Sequence, residues 1–293
     1  MITNIKTINN HEKWVHSLLL LNDGRVASCS EDKTIKIFDS KNDYHCDITI
    51  EGHREGVISI CQLENAKIAS CSIDKTIKLW TITEFTYQCD YTFEEAHQEQ
   101  INKIISIPNN RIVSCSWDTT IKVWNSNNPY NLIQIFKGHN RNVSSIIKLN
   151  NHNLLASGSF DSTLRIWNLS TYQCNSIMTN IMCCNHNGLL ELNNDRVIEG
   201  GKDEIILVNL KTYQIEQRII NKELNIIYSF MKFKNDNALC GCLNGIMVLY
   251  DFKANKISFI SKAHDYAIKD FLILNSQYFI TCSNDKSIKI WSY

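Results

Sequence analysis

The sequence predicts an all-β fold built from seven copies of one four-stranded antiparallel unit. Two observations carry this. A segment of small residues, an Asp and an alternating apolar–polar run returns at a nearly constant period, and a His returns about half a period ahead of it. A third agrees with them: no long segment has the 3.6-residue apolar spacing of an amphipathic helix.

The clearest copy is Ser70-Cys71-Ser72-Ile73-Asp74-Lys75-Thr76-Ile77-Lys78-Leu79-Trp80. After the Asp, Ile77 and Leu79 fall on one face and Thr76, Lys78 and Trp80 on the other, the period of a strand. The segment therefore reads as strand, tight turn, strand. Upstream, Val57–Ile60 and Lys67–Ser70 read as two strands' worth of apolar residues separated by a polar turn at Glu64-Asn65. A fourth short strand, of the kind seen in Leu132–Phe136, leads into the next unit. Copies are anchored at Asp32, Asp74, Asp118, Asp161, Asp203, Asn244 and Asp285, at intervals of 41 to 44 residues. Four strands in so short a repeat make one blade of a β-propeller. The prediction is a seven-bladed propeller in one domain spanning residues 1–293. After Trp291 the seventh unit lacks a fourth strand, and the residues before His11 fit no unit of their own. Residues 2–8 are expected to supply that outer strand and close the ring, covering an exposed sheet edge.

Composition narrows the function classes. The chain has 293 residues, 44% hydrophobic and 20% charged, with 30 basic and 30 acidic side chains. That is a globular composition, and it lacks the basic excess usual in a nucleic-acid binder. No apolar run is long enough to cross a membrane, and no signal-like segment opens the sequence. Of the 12 cysteines, Cys29, Cys71, Cys115 and Cys282 hold one repeat position, three residues before the Asp. They read as small apolar strand residues, reduced in the cytoplasm or nucleus. Cys183-Cys184 and Cys240-Gly241-Cys242 lack zinc-site spacing, so no metal or other cofactor is expected.

His11, His53, His97, His139 and His264 precede their Asp by 21 or 22 residues, and Gly52 and Gly138 precede two of them. With these Gly-His and Trp-Asp-type signatures along almost the full length, the chain resembles the WD40-repeat family. The resemblance implies hydrogen-bonded structural tetrads of His, Ser or Thr, Asp and Trp. Four are complete: His53-Ser70-Asp74-Trp80, His97-Ser114-Asp118-Trp124, His139-Ser157-Asp161-Trp167 and His264-Thr281-Asp285-Trp291. The first blade has His11, Ser28 and Asp32 but ends in Phe38. A Ser/His/Asp set also invites a hydrolase reading, but four copies at blade spacing suit bracing, not one catalytic site. Blades five and six are worn: Met182 and Glu223 stand where His is expected, and Leu207 and Val248 where other blades have Lys or Arg. Drift and a specialised rim are both open readings.

The resemblance further implies that the upper face binds proteins or peptides. That face would be built from the residue before each Asp and the residues three and five after each His. The mapping gives Trp14, His16 and Glu31; Gly56, Ile58 and Ile73; Gln100, Asn102 and Trp117; Asn142, Ser144 and Phe160; Asn185, Asn187 and Lys202; Ile226, Tyr228 and Leu243; and Ala267, Lys269 and Asn284. Candidate partner-binding residues are Trp14, Ile58, Ile73, Trp117, Phe160, Tyr228 and Leu243, because aromatic and apolar anchors within a polar surround make interface hot spots. No phosphate-binding loop, helical metal motif or isolated nucleophile is present. The expected function is a non-enzymatic scaffold or adaptor for protein partners. A substrate-recognition subunit of a ubiquitin ligase and a ribonucleoprotein component are the alternatives, with direct nucleic-acid binding and membrane insertion disfavoured.

Overall fold

The structure, a computed structural model, describes residues 2–150, 153–181, 187–193, 195–234 and 237–293. They divide into two compact units, one of residues 1–118, 122–134 and 270–293 and one of residues 119–121 and 135–269.

Among the described residues seven four-stranded antiparallel sheets form, with strands in chain order within six of them. The first is β2 (Val15–Leu20), β3 (Val26–Ser30), β4 (Ile35–Asp39) and β5 (His45–Ile50). The second is β6 (Val57–Gln62), β7 (Ile68–Ser72), β8 (Ile77–Ile82) and β9 (Tyr87–Phe93). The third is β10 (Ile101–Ile107), β11 (Arg111–Ser116), β12 (Ile121–Asn125) and β13 (Asn131–Phe136). The fourth and fifth are β14 (Val143–Leu149), β15 (Leu154–Ser159), β16 (Thr163–Asn168) and β17 (Cys174–Thr179), then β18 (Leu189–Asn193), β19 (Arg196–Gly200), β20 (Glu204–Asn209) and β21 (Gln214–Ile220). The sixth is β22 (Ile227–Lys232), β23 (Ala238–Cys242), β24 (Ile246–Asp251) and β25 (Lys256–Lys262). The seventh has only three strands of its own, β26 (Ile268–Ile273), β27 (Tyr278–Ser283) and β28 (Ile288–Ser292).

The missing strand comes from the other end of the chain. β1 (Thr3–Ile8) pairs antiparallel with β28, from Thr3 opposite Ser292 to Ile8 opposite Ile288. This is the seven-bladed β-propeller, its ring closed by the N-terminal strand.

Period-two alternation explains the packing between successive sheets. Within the first unit, Ile77 and Leu79 join Ile101, Ile104, Ile112 and Trp124 of the following sheet. Trp80 and Ile68, on the opposite face, join Ile35, Ile37, Ile48 and Ile50 of the preceding one. A blade therefore packs apolar side chains on both of its faces. In the second unit, Leu164, Ile166 and Met178 pack on Val197, Ile206 and Val208 in the same way.

The glycine of the Gly-His pair follows from this packing. Gly52 has φ +145°, and a Cβ there would lie 2.9 Å from Cη2 of Trp80. Gly138, at φ +153°, is crowded by Arg165 and Trp167 in the same way. The outer strands add a regularity of their own. Cys46, Cys89 and Cys174 lie opposite Phe38, Trp80 and Trp167, each beside a β-bulge. Their thiols approach the carbonyls of Ile48, Tyr91 and Ser176. None of the ten described cysteines is in a disulfide.

Candidate functional site

In the second blade, Ser70 on β7 and Trp80 on β8 meet His53 and Asp74 from the turns. The direction of each hydrogen bond follows from donor capacity. An indole N–H can only donate, and Trp80 Nε1 donates to Ser70 Oγ at 2.8 Å. The one serine proton then goes to His53 Nε2 at 2.7 Å. The ring proton is thereby placed on Nδ1, which donates to Asp74 Oδ2 at 2.9 Å. Asp74 also accepts from the Arg54 amide and from the amide and hydroxyl of Thr76.

The same chain recurs. His97 lies 2.8 Å from Asp118 and 2.7 Å from Ser114, with Trp124 donating to that serine. His139 lies 2.8 Å from both Asp161 and Ser157, with Trp167 donating to the serine. In the first blade His11 bridges Asp32 and Ser28, each at 2.7 Å, but Phe38 donates nothing. In the seventh, Trp291 donates to Thr281 at 2.8 Å, Ser287 donates to Asp285 at 2.6 Å, and His264 is buried.

Electrostatics fix the charge states. Burial pushes the imidazoles of His53, His97 and His139 below the usual histidine range, although each Asp partner works in the opposite direction. For Asp74 burial acts to raise the carboxyl. The hydrogen bond and charge of His53, with Thr76 and the Arg54 amide, outweigh it and hold the group well below the usual carboxylate range. The same balance lowers Asp32, and it brings Asp161 to about 2, with Thr163 the leading partner. Ser70 is 0% exposed, and its hydroxyl is engaged by both Trp80 and His53. A serine with no path to a substrate is bracing, and these networks are worth their desolvation because every member is satisfied.

The worn blades depart at this site. Glu199 and Cys240, both buried, stand where serine stands elsewhere. Glu223 lies exposed on a short 3₁₀ turn, Lys222–Leu224; Met182 and Asn185 fall outside the described residues. Where Lys36 and Lys122 reach the carbonyls of Asn10 and Ala96, Leu207 and Val248 are buried in an apolar cluster. Their loss of charge exposes no apolar surface.

A second recurrent bond builds the rim. The residue before the Asp donates its amide to the carbonyl three residues after the His: Glu31 to Trp14 at 2.9 Å, Ile73 to Gly56 at 3.0 Å and Trp117 to Gln100 at 3.1 Å in the first unit. In the second unit Phe160 bonds Asn142 at 3.0 Å and Leu243 bonds Ile226 at 2.8 Å. Each sequence-paired couple is thus adjacent in space. Trp14 and Trp117 remain 46% and 42% exposed. Phe160 and Leu243 are also exposed, and Ile73 is half-buried.

The positions five residues after the His do not join this rim. Ile58, expected as a binding residue, is only 5% exposed, and His16, Asn102, Ser144 and Lys269 are buried with it. They lie at the start of the first strand in the five sheets that retain the His, where the side chains are packed. Lys269 places its ammonium 4.4 Å from the Tyr228 ring centroid, so Tyr228 is half covered and Lys269 offers no free surface cation. Sequence reasoning passed over Tyr266, exposed in the loop before β26, and Phe85, exposed at the tip of the β8–β9 turn. Neither occupies a repeat-defined position, so periodicity carried no signal for them.

The fold and its bracing define a repeat propeller. The family described as WD domain, G-beta repeat, matches residues 2–39, 44–81, 87–125, 130–168 and 257–292. The chain belongs to the WD40-repeat family. Each matched stretch carries one of the five repeat His, and the first three strands of each worn blade lie outside them. Among solved structures, the crystal structure of the WD40 β-propeller domain of Doa1 is similar, with a TM-score of 0.84 at 18% identity over 99% of this chain and 97% of that one. At that identity the likeness carries the fold alone. No curated protein matches the chain. Propellers of this family generally act as protein-interaction scaffolds and are typically non-enzymatic.

Proposed function

We propose that this chain is a non-enzymatic scaffold that holds a protein or peptide partner on the rim turns of its first unit, with Trp14, Ile73 and Trp117 as anchors. One observation carries the reading. Two indoles stand nearly half exposed in turns whose backbone is pinned by hydrogen bonds. Large aromatic groups on a rigid frame lose little entropy on binding and are the residue type most enriched at hot spots. Phe160 and Leu243 occupy the equivalent turn position in the second unit and are tested separately.

The experiment is affinity capture from native lysate with the wild-type chain and a Trp14→Ala/Trp117→Ala variant, followed by mass spectrometry. The reading expects partners present with the wild type to be lost from the variant, with the melting temperature unchanged. The same partners at the same abundance would reject the rim as the binding surface.

A further inference from the structure

We infer that the partner presents a basic side chain, Arg or Lys, to Glu31, with an adjacent apolar residue seated on Trp14 and Ile73. This rests on the scaffold reading above and names the chemistry of its partner.

The geometry places three different groups together. Glu31 is tied to Trp14 through its amide. On its other side lies Gly56, where a Cβ would stand 3.1 Å from Glu31 Cγ and 3.2 Å from Ile73 Cδ1. The glycine therefore lets the stem of the glutamate and the isoleucine methyl converge, in a turn whose backbone is bonded to that of an exposed tryptophan. Trp14 is set edge-on against His16, with centroids 6.4 Å apart at 75°.

Charge then selects the occupant. Among the described residues Glu31 makes no ion pair, although lysines stand in the same and the next turn. Lys33 donates to the Arg54 carbonyl at 2.7 Å and lies 3.5 Å from Glu55; Lys75 donates to the Gln98 carbonyl at 2.6 Å and lies 3.8 Å from Glu99. Both ammonium groups are committed to the following loop and leave Glu31 uncompensated. A carboxylate beside an aliphatic group, in a turn bonded to that of an exposed tryptophan, suits a cation, which gains a charge-assisted hydrogen bond there. A phosphate or an acidic segment would meet repulsion at the same point.

A random heptapeptide phage library, selected against the folded chain, supplies a ligand-neutral probe. The expected result is enrichment of peptides with Arg or Lys beside an apolar residue. Binding of these should fall at least about tenfold on Glu31→Gln, and Glu31→Lys should abolish it, with both variants melting as the wild type does. Enriched peptides that are lost on Trp117→Ala but lack a basic residue, or that bind Glu31→Lys as well as wild type, would overturn this inference and leave the scaffold reading standing. Absence of any peptide sensitive to Trp14, Ile73 or Trp117 substitution would overturn both.

Discussion

Ser70→Ala compared with Ser28→Ala isolates the contribution of one indole N–H to the fold. Both serines are 0% exposed. Removing the Ser70 hydroxyl orphans two buried groups, Trp80 Nε1–H and His53 Nε2. At about 1–3 kcal/mol for each unsatisfied buried group, the cost is about 2–6 kcal/mol. Removing the Ser28 hydroxyl orphans only His11 Nε2, because Phe38 has no polar hydrogen, and costs about 1–3 kcal/mol. Equilibrium urea denaturation gives both values, provided the slope of stability against urea is unchanged between variants. If unfolding proceeds in steps, amide exchange on β3 and β7 reports the same comparison locally. In a Trp80→Phe background, Ser70→Ala should fall to the Ser28 level, a direct non-additivity. Equal costs for the two serines, or additive costs of Ser70→Ala and Trp80→Phe, would refute the proton assignment along the chain from Trp to Asp.

Three further outcomes follow from the same structure. Deleting residues 1–10 strips β1, with its buried Ile8, from β28 and uncovers Ile288 and Ile290, so a marked drop in melting temperature and a tendency to aggregate through the opened edge are expected; an unchanged melting temperature would contradict it. Stability should be highest above pH 6.5. In the folded chain burial holds His53, His97 and His139 below the ordinary histidine range, and hydrogen bonds hold Asp161 at about 2, below the usual carboxylate range. The unfolded chain therefore takes up protons first as pH falls, at up to about 1.4 kcal/mol per pH unit for each histidine; a urea midpoint that rises between pH 7 and pH 5 would oppose this. Gly52→Ala meets both an unfavourable φ and the Trp80 ring, at about 1–3 kcal/mol. Gly24→Ala, at φ +90° with nothing within 4 Å, should cost less, and thermal melts of the two would show the order.

Repetition made much of this legible before any coordinates. A pattern that recurs seven times at nearly constant spacing constrains each copy by the others, so the sheets, the closing strand and the His–Ser–Asp–Trp positions could be written down from residue numbers. Ile58 shows where this failed. Its repeat position is shared with His16 and Asn102, but whether a position faces a partner or a neighbouring sheet depends on packing, and in the blades that retain the His this position is buried. Lys269 looked like a surface charge in sequence and lies against Tyr228 instead. The worn blades show the converse: Leu207 and Val248 break the charge pattern, yet the cluster around them absorbs the change.

By itself the sequence determined the unit, its count and the groups that brace it, because strand alternation and donor–acceptor inventories are local properties that survive in linear spacing. The tertiary structure decided which rim residues stay in solvent. It set Glu31 beside Trp14 and Ile73, groups 17 and 42 residues away from it in the chain. It also tied Lys33 and Lys75 to neighbouring loops and left that carboxylate uncompensated. Those outcomes depend on how successive blades approach one another, a distance that no single repeat encodes.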